Sequence, residues 1–347
     1  MVDHTGMIIP LVLYFILIMG IALWGSRTAG KRSDTKGFME EYFIGSRSMG
    51  GFVLAMAIIT TYTSASSFVG GPGVAYNVGL GWILLSMIQV PTAFLTLGVL
   101  GKRFALIARR TDAVTITDFI RARYGSDAVV ILASLALLVF FMASMLAQFI
   151  GGARLFESIT GYSYQTGLLI FGFTVVVYTT VGGFRAVVLT DTIQGVMMLF
   201  ASLAILYAVI TAGGGVENIM QTLYSIDPRL LTPTGGGNAI PKPFILSFWV
   251  LVGIGILGLP QTTQKCLGYK DSRSMHNAMI IGTFVVGFTM LAMHLVGAMG
   301  RAVIPDITVG DLAVPTLTVR LMSPFWAGIF IAGPLAAIMS TVDSMLI

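Results

Sequence analysis

Charge is scarce in this sequence. Asp, Glu, Lys and Arg together make up 10% of 347 residues, where a soluble domain carries roughly a quarter. That excludes an ordinary pair of soluble globular domains. A single cysteine, Cys266, excludes a disulfide framework and a cysteine-cluster metal site. The three histidines, His4, His276 and His294, are scattered and form no HExxH pattern. With no paired nucleophile and base to be found either, an enzyme is not expected. What fills the chain instead is apolar: 56% of residues are hydrophobic, and uninterrupted runs are long enough to cross a bilayer core of about 30 Å. The composition predicts an all-α polytopic membrane protein. Its 41 glycines suit helices that must approach one another closely.

Nine spans are predicted, at 7–25, 49–76, 80–100, 128–152, 164–183, 187–212, 243–260, 277–300 and 323–347. The first lacks the basic leader and the cleavage site of a signal peptide, so it is read as a span. Fifteen of the 20 Lys and Arg residues fall in the first, third, fifth and seventh loops, among them Lys31, Arg32, Lys36 and Lys265. The positive-inside rule then puts the N-terminus outside and those loops in the cytoplasm. This bias accounts for the net charge of +5 without a nucleic-acid partner; the bilayer is the partner. Segment 102–127 is expected to hold an interfacial helix from Thr115 to Arg123, capped by Thr115 or Thr117. Loop 213–242, rich in Gly and Pro, reads as an outer connection. The chain stops at Ile347 inside an apolar stretch, so it is expected to continue in a longer protein.

Two spans carry interruptions. In the second, Thr60 to Ser67 is almost all hydroxyl-bearing and is followed by Gly70, Gly71, Pro72 and Gly73. Proline and glycine weaken a helix, and freed backbone groups in a membrane are tolerated only inside protein or beside a cavity. The break is therefore placed at Gly70–Gly73 and read as a transport-site pointer; a kink whose Ser and Thr bond back to their own helix is the alternative. In the seventh span, Gly253 to Pro260 gives a second break at Pro260. The GxGxxG letters there are not a nucleotide motif, because no strand precedes them.

Carboxylates inside spans are functional candidates, because burying a charge costs at least ~2.5 kcal/mol. There are two, Asp191 and Asp343. Asp191 could instead cap the sixth span beside Arg185, and Asp343 could face cytoplasmic water. Gln89 and Gln148 are either interhelical glue or substrate contacts. Trp249 is either an interfacial anchor or a cavity wall.

At these residues the chain resembles the sodium/solute symporter family. The matching segments are SASSFVGGPG (64–73), GGARLFESITG (151–161), YTTVGGFRAVVLTDTIQ (178–194) and AAIMSTVDS (336–344). Further segments, EYFIGSRSMGG (41–51), QFIGGARL (148–155), SFWVLVGIGILGLP (247–260), GYKDS (268–272) and GRAVIPD (300–306), resemble members that carry a small organic anion. Carriers of proline, sugars or sialic acid, or the membrane module of a sensor, are the alternatives. The resemblance implies a LeuT-type inverted-repeat fold in one transporter domain, 1–347. Span 7–25 would be peripheral, 49–212 the first five-helix repeat, and 243–347 an incomplete second repeat. It implies residence in a bacterial cytoplasmic membrane, Na+ as the coupling ion with no other cofactor, and no obligate protein partner. By the same resemblance, Thr60, Thr63, Ala337, Ser340 and Thr341 would hold Na+. Substrate would touch Ser64, Ser67, Ser86, Gln89, Gln148 and Trp249. Asp191, Asp343 and Ser344 would form a second sodium site, although an acidic residue at 343 departs from the family pattern.

Overall fold

Apolar runs without polar partners for their backbone can satisfy themselves in a membrane only as helices, and helices account for nearly all of the fold. A computed structural model describes residues 4–28 and 42–347; Lys31, Arg32, Lys36 and Glu41 lie outside the described residues. The helices are α1 (His4–Thr28), α2 (Gly51–Tyr62), α3 (Ser66–Val78), α4 (Leu80–Thr111), α5 (Ile116–Tyr124) and α6 (Asp127–Thr160). There follow α7 (Tyr164–Ala212), α8 (Val216–Ile226), α9 (Lys242–Gly255), α10 (Pro260–Leu267), α11 (Ser272–Val303), α12 (Ala313–Leu321) and α13 (Pro324–Leu346). Among the described residues, extended pairing is limited to one isolated bridge, Met49 to Tyr269.

Among the described residues, seven helices are long and apolar enough to cross a membrane, or eight with the bent pair α2–α3 taken as one span. Helix α7 is 49 residues long. Straight, it would reach roughly 70 Å, more than twice a bilayer core. Gly183 interrupts it with φ 62° and ψ −174°, a backbone that side-chain-bearing residues avoid. Divided there, α7 is long enough for two crossings, and one residue stands where the sequence predicts a short loop between two spans.

Helix α1 buries one stripe, Met7, Leu11, Tyr14, Ile18 and Ala22, and turns Ile9, Leu13, Ile16 and Leu17 outward. That spacing of three and four is the signature of one buried face. It packs on α7 and α13. Helix α13 is the most enclosed of the long helices: every residue from 331 to 345 is buried. Helix α9 is the opposite, with no buried residue. The interfacial helix is α5, where Thr115 and Asp118 exchange side-chain and backbone bonds in a capping box.

Two connections differ from expectation. Loop 213–242 contains the amphipathic helix α8, which buries Ile219 and Leu223, followed by short 3-10 turns. In it, the backbone N–H of Arg229 and then its guanidinium hold the Asp227 carboxyl below the usual carboxylate range. The segment after Pro260, predicted as a cytoplasmic loop, is helix α10, with Gln261 to Leu267 all buried. Its apolar content is too low for hydropathy to reveal it; tertiary packing buries it.

Candidate ion and substrate site

The break in the second span falls at Thr63–Ala65, ahead of the Gly70–Gly73 segment to which the sequence assigned it. Thr63 leaves the helix at φ −87° and ψ 125°, and α2 and α3 meet at 70°. Short hydroxyl side chains compete for backbone groups here. Thr63 Oγ1 donates to Ile59 O at 2.8 Å, and Ser67 Oγ accepts from Ser64 N at 3.4 Å. The freed N–H of Ala65 donates to Gln148 Oε1 at 2.9 Å. Pro72 lies in the first turn of a regular helical segment, Gly71–Val78, where its missing N–H is no loss. The surrounding glycines provide room. A Cβ on Gly71 would meet His294 Nε2 at 2.4 Å, and one on Gly73 would meet the Gly310 carbonyl at 2.5 Å.

The unwound segment faces α13, and five oxygens form a relay between them. Ser340 Oγ donates to Thr60 O at 3.0 Å and lies 3.1 Å from Ala337 O. Thr341 Oγ1 donates to Thr63 O at 3.0 Å and lies 2.9 Å from Ala337 O. All five residues are buried. Thus Thr60, Thr63, Ala337, Ser340 and Thr341 converge from two helices on one small volume. Three carbonyls and two hydroxyls are a set of hard, neutral oxygen donors, suited to an alkali cation and not to a thiolate- or imidazole-loving metal.

Both intramembrane carboxylates are fully buried. Asp191 does not use Arg185 as its counter-charge: Lys265 Nζ on α10 forms a buried ion pair with Asp191 Oδ2 and donates to Ala57 O at 3.1 Å. Asp343 does not face cytoplasmic water. Tyr178 Oη donates to its Oδ2 at 2.6 Å, and Ser344 Oγ lies 3.1 Å from its Oδ1. Ser344 also meets Thr61 Oγ1 at 2.9 Å, which ties this carboxylate to α2.

Of the residues expected to touch substrate, Ser64, Ser67 and Gln148 come together at the break. A cavity of ≈ 310 Å³ opens there, lined by Ala65, Ser66, Gly70, Gln148, Arg154 and Asp311 among others. Ser86 is buried on α4 with its hydroxyl bonded to Ile83 O. Gln89 offers its main-chain carbonyl to Tyr62 Oη at 3.3 Å. Trp249 sits on α9 and is 37% exposed.

Residues 42–347 match the Sodium:solute symporter family. The chain belongs to this family. It is 55% identical to the sodium/pantothenate symporter of Escherichia coli (strain K12), across 98% of the chain and 70% of that relative. It is 52% identical to the sodium/pantothenate symporter of Haemophilus influenzae, across 99% of the chain and 70% of that relative. Its fold matches a Na+-coupled sialic acid symporter solved in a substrate-bound outward-open state. That match has a TM-score of 0.81 and 17% identity, over 98% of this chain and 71% of the other. The symporter is thus an integral membrane protein of LeuT-like fold, from a family that couples solute movement to Na+. Two of its site features carried no readable signal in the sequence: Lys265 stood in an apparent loop, and Tyr178 reaches Asp343 across 165 positions. Gln148 makes the interhelical bond that one of its two sequence readings expects.

Proposed function

We propose that this symporter imports pantothenate together with Na+ by alternating access across a bacterial cytoplasmic membrane, with its N-terminus outside. The relay linking Thr60, Thr63, Ala337, Ser340 and Thr341 carries the ion half of this reading. Unwound backbone in broken transporter helices supplies carbonyls for the coupling cation. A hydroxyl that donates to a carbonyl can rotate and turn a lone pair to an ion instead. Na+ would therefore be taken up without moving either helix far, replacing two hydrogen bonds by ion contacts. Ser64, Ser67 and Gln148 border the same break, so substrate would lie beside the ion, with Ser86, Gln89 and Trp249 further around. Likeness to the two sodium/pantothenate symporters, both above half identity, supports the substrate. Asp191, Asp343 and Ser344, expected as a second sodium site, form a buried layer next to the first.

The test is uptake of labelled pantothenate into vesicles carrying the full-length protein, with Na+ against K+ outside. Uptake that needs Na+, with a higher half-saturating Na+ concentration in Ser340→Ala, is expected. Equal uptake in K+ would refute Na+ coupling, and Na+-dependent uptake of proline but not pantothenate would refute the substrate.

A further inference from the structure

Another cavity, of ≈ 400 Å³, opens between α4 and α11 and shares no residue with the ion and substrate site. Lys102, Arg273, His276 and Ser272 line it with polar groups, and Leu97, Met275 and Met279 with apolar ones. Two features of α4 shape it. Gly98 also lines the cavity, and a Cβ there would meet Met279 Sδ at 2.5 Å, so glycine lets the two helices close. The turn Thr96–Gly101 is π-helical; with bonds from i to i+5, it brings Leu97 and Lys102 onto one face.

The height of the cavity in the membrane follows from the apolar runs on either side. Lys102 stands just past the run 80–100, and Arg273 and His276 stand just before the run 277–300. All three are exposed, and on the same two helices Val99, Ile280 and Phe284 turn outward. That is the headgroup level of a bilayer, where long basic side chains reach out of the apolar layer. Among the described residues no carboxylate pairs with Lys102 or Arg273. Asp271, the nearest acidic residue to Arg273 in sequence, is engaged elsewhere: its Oδ1 accepts from Ser274 N at 2.7 Å and from Ser274 Oγ at 2.9 Å. The first-turn N–H of Ser274 is thereby occupied, and recognition falls to side chains.

An arginine fork beside an ammonium suits a phosphate, and the His276 ring and the Ser272 hydroxyl add donors. Leu97, Met275 and Met279 suit the glycerol and first methylenes of a lipid, which a free phosphate lacks. A zwitterionic headgroup would bring its own ammonium against these cations. We infer that this cavity binds the phosphate of an anionic phospholipid, whose acyl chains lie along α4 and α11. Basic pockets between membrane helices on the cytoplasmic side are a recurrent setting for such headgroups. The choice of the cytoplasmic leaflet, and that alone, rests on the orientation proposed above.

The experiment uses the purified full-length protein in neutral detergent micelles, which have no leaflets. Phosphatidylglycerol or phosphatidylcholine is added, and the lipid retained per chain is read by native mass spectrometry. The wild type should hold one phosphatidylglycerol at least about tenfold more tightly than phosphatidylcholine. A basic residue beside an anionic lipid is worth about fivefold in affinity, so Lys102→Gln/Arg273→Gln should weaken retention by roughly thirtyfold. Arg103→Gln/Arg110→Gln removes the same charge from the same helix outside the cavity. A neutral micelle has no surface potential, so that control should lose less than about threefold. Equal affinity for the two lipids in the wild type, or equal losses in the two double variants, would overturn the inference. If the first double variant fails to insert, Arg273→Gln alone decides: a loss of about fivefold supports the site, and unchanged affinity overturns it. Inorganic phosphate in large excess should leave the lipid in place; its displacement would assign the cavity to a free anion and overturn the lipid as occupant. Retention is read without transport, so failure of pantothenate uptake would leave the lipid site standing, and loss of lipid preference would leave the Na+ and substrate reading standing.

Discussion

The symporter has two broken helices, and they are built differently. The first break, between α2 and α3, is held on every side. Gln148 from α6 bonds its free N–H, Ser340 and Thr341 from α13 bond its carbonyls, and glycines of α11 and the Gly310 turn let other backbones touch α3 beyond it, at Pro72 and Gly73. The second break, at Ile256–Leu259 ahead of Pro260, separates unlike halves. α9 has no buried residue. α10 is buried throughout Gln261–Leu267, with Lys265 on Asp191 and Gln264 Nε2 donating to Val114 O at 2.7 Å. One break is a polar scaffold whose shape the surroundings over-determine; the other is a joint between a buried half and an exposed one. Two interruptions in one chain can thus be built for opposite purposes.

The strongest way to test the difference is to remove space along α3, on the clamped side. In Gly297→Ala the new Cβ would stand 2.0 Å from Pro72 O and under 3 Å from two further backbone atoms of Pro72. No flexible side chain can yield there, so folded transporter should be lost, as seen by size-exclusion of the detergent extract. Next in size is Gln148→Leu. It leaves the buried Ala65 N–H without an acceptor, an expected loss of about 1–3 kcal/mol of stability, readable as a lower unfolding temperature. Gln148→Glu keeps an acceptor oxygen and should be milder. A variant Gln148→Leu as stable as wild type would show that the clamp on the break is unimportant. For Thr341→Ala the fold should survive, while the Na+ concentration for half-maximal uptake rises by about tenfold, equivalent to ~1.4 kcal/mol. An unchanged Na+ dependence would remove Thr341 from the ion site.

How much of this could be read from the sequence differs between the two breaks for physical reasons. The apolar spans were legible because hydrophobic length is a local property, and the start of α5 because the capping Thr115 sits beside the turn it caps. The presence of a break in the second span was legible too, but not its position. Gly and Pro mark where a helix is weak, whereas the helix parts where its neighbours offer replacement bonds. Those come from Gln148, Ser340 and Thr341, up to 280 positions away. The relay was reached through family resemblance and not through spacing. Lys265 was misplaced for the converse reason: a lysine after a proline reads as solvated loop unless a buried carboxylate is known to await it.

The smallest effect is expected at the more exposed joint, and it separates room from mobility as the role of glycine. A Cβ on Gly255 or Gly258 would meet nothing within 4 Å, and neither residue has positive φ. Gly255 is helical, at φ −62° and ψ −37°. Alanine therefore fits both positions, and by narrowing the unfolded ensemble it should stabilise the protein by about 0.4–1 kcal/mol each. If the joint flexes during alternating access, that stiffening should slow the conformational step. Conformational steps set the turnover of many well-evolved proteins. Gly255→Ala/Gly258→Ala should then show a higher unfolding temperature, a maximal uptake rate lowered by roughly two- to fivefold, and an unchanged half-saturating Na+ concentration, because the ion relay lies at the other break. A double variant that is more stable and transports at the wild-type rate would show that this joint does not move in the rate-limiting step. A shift in Na+ dependence would show instead that the two breaks are coupled in the ion-binding state.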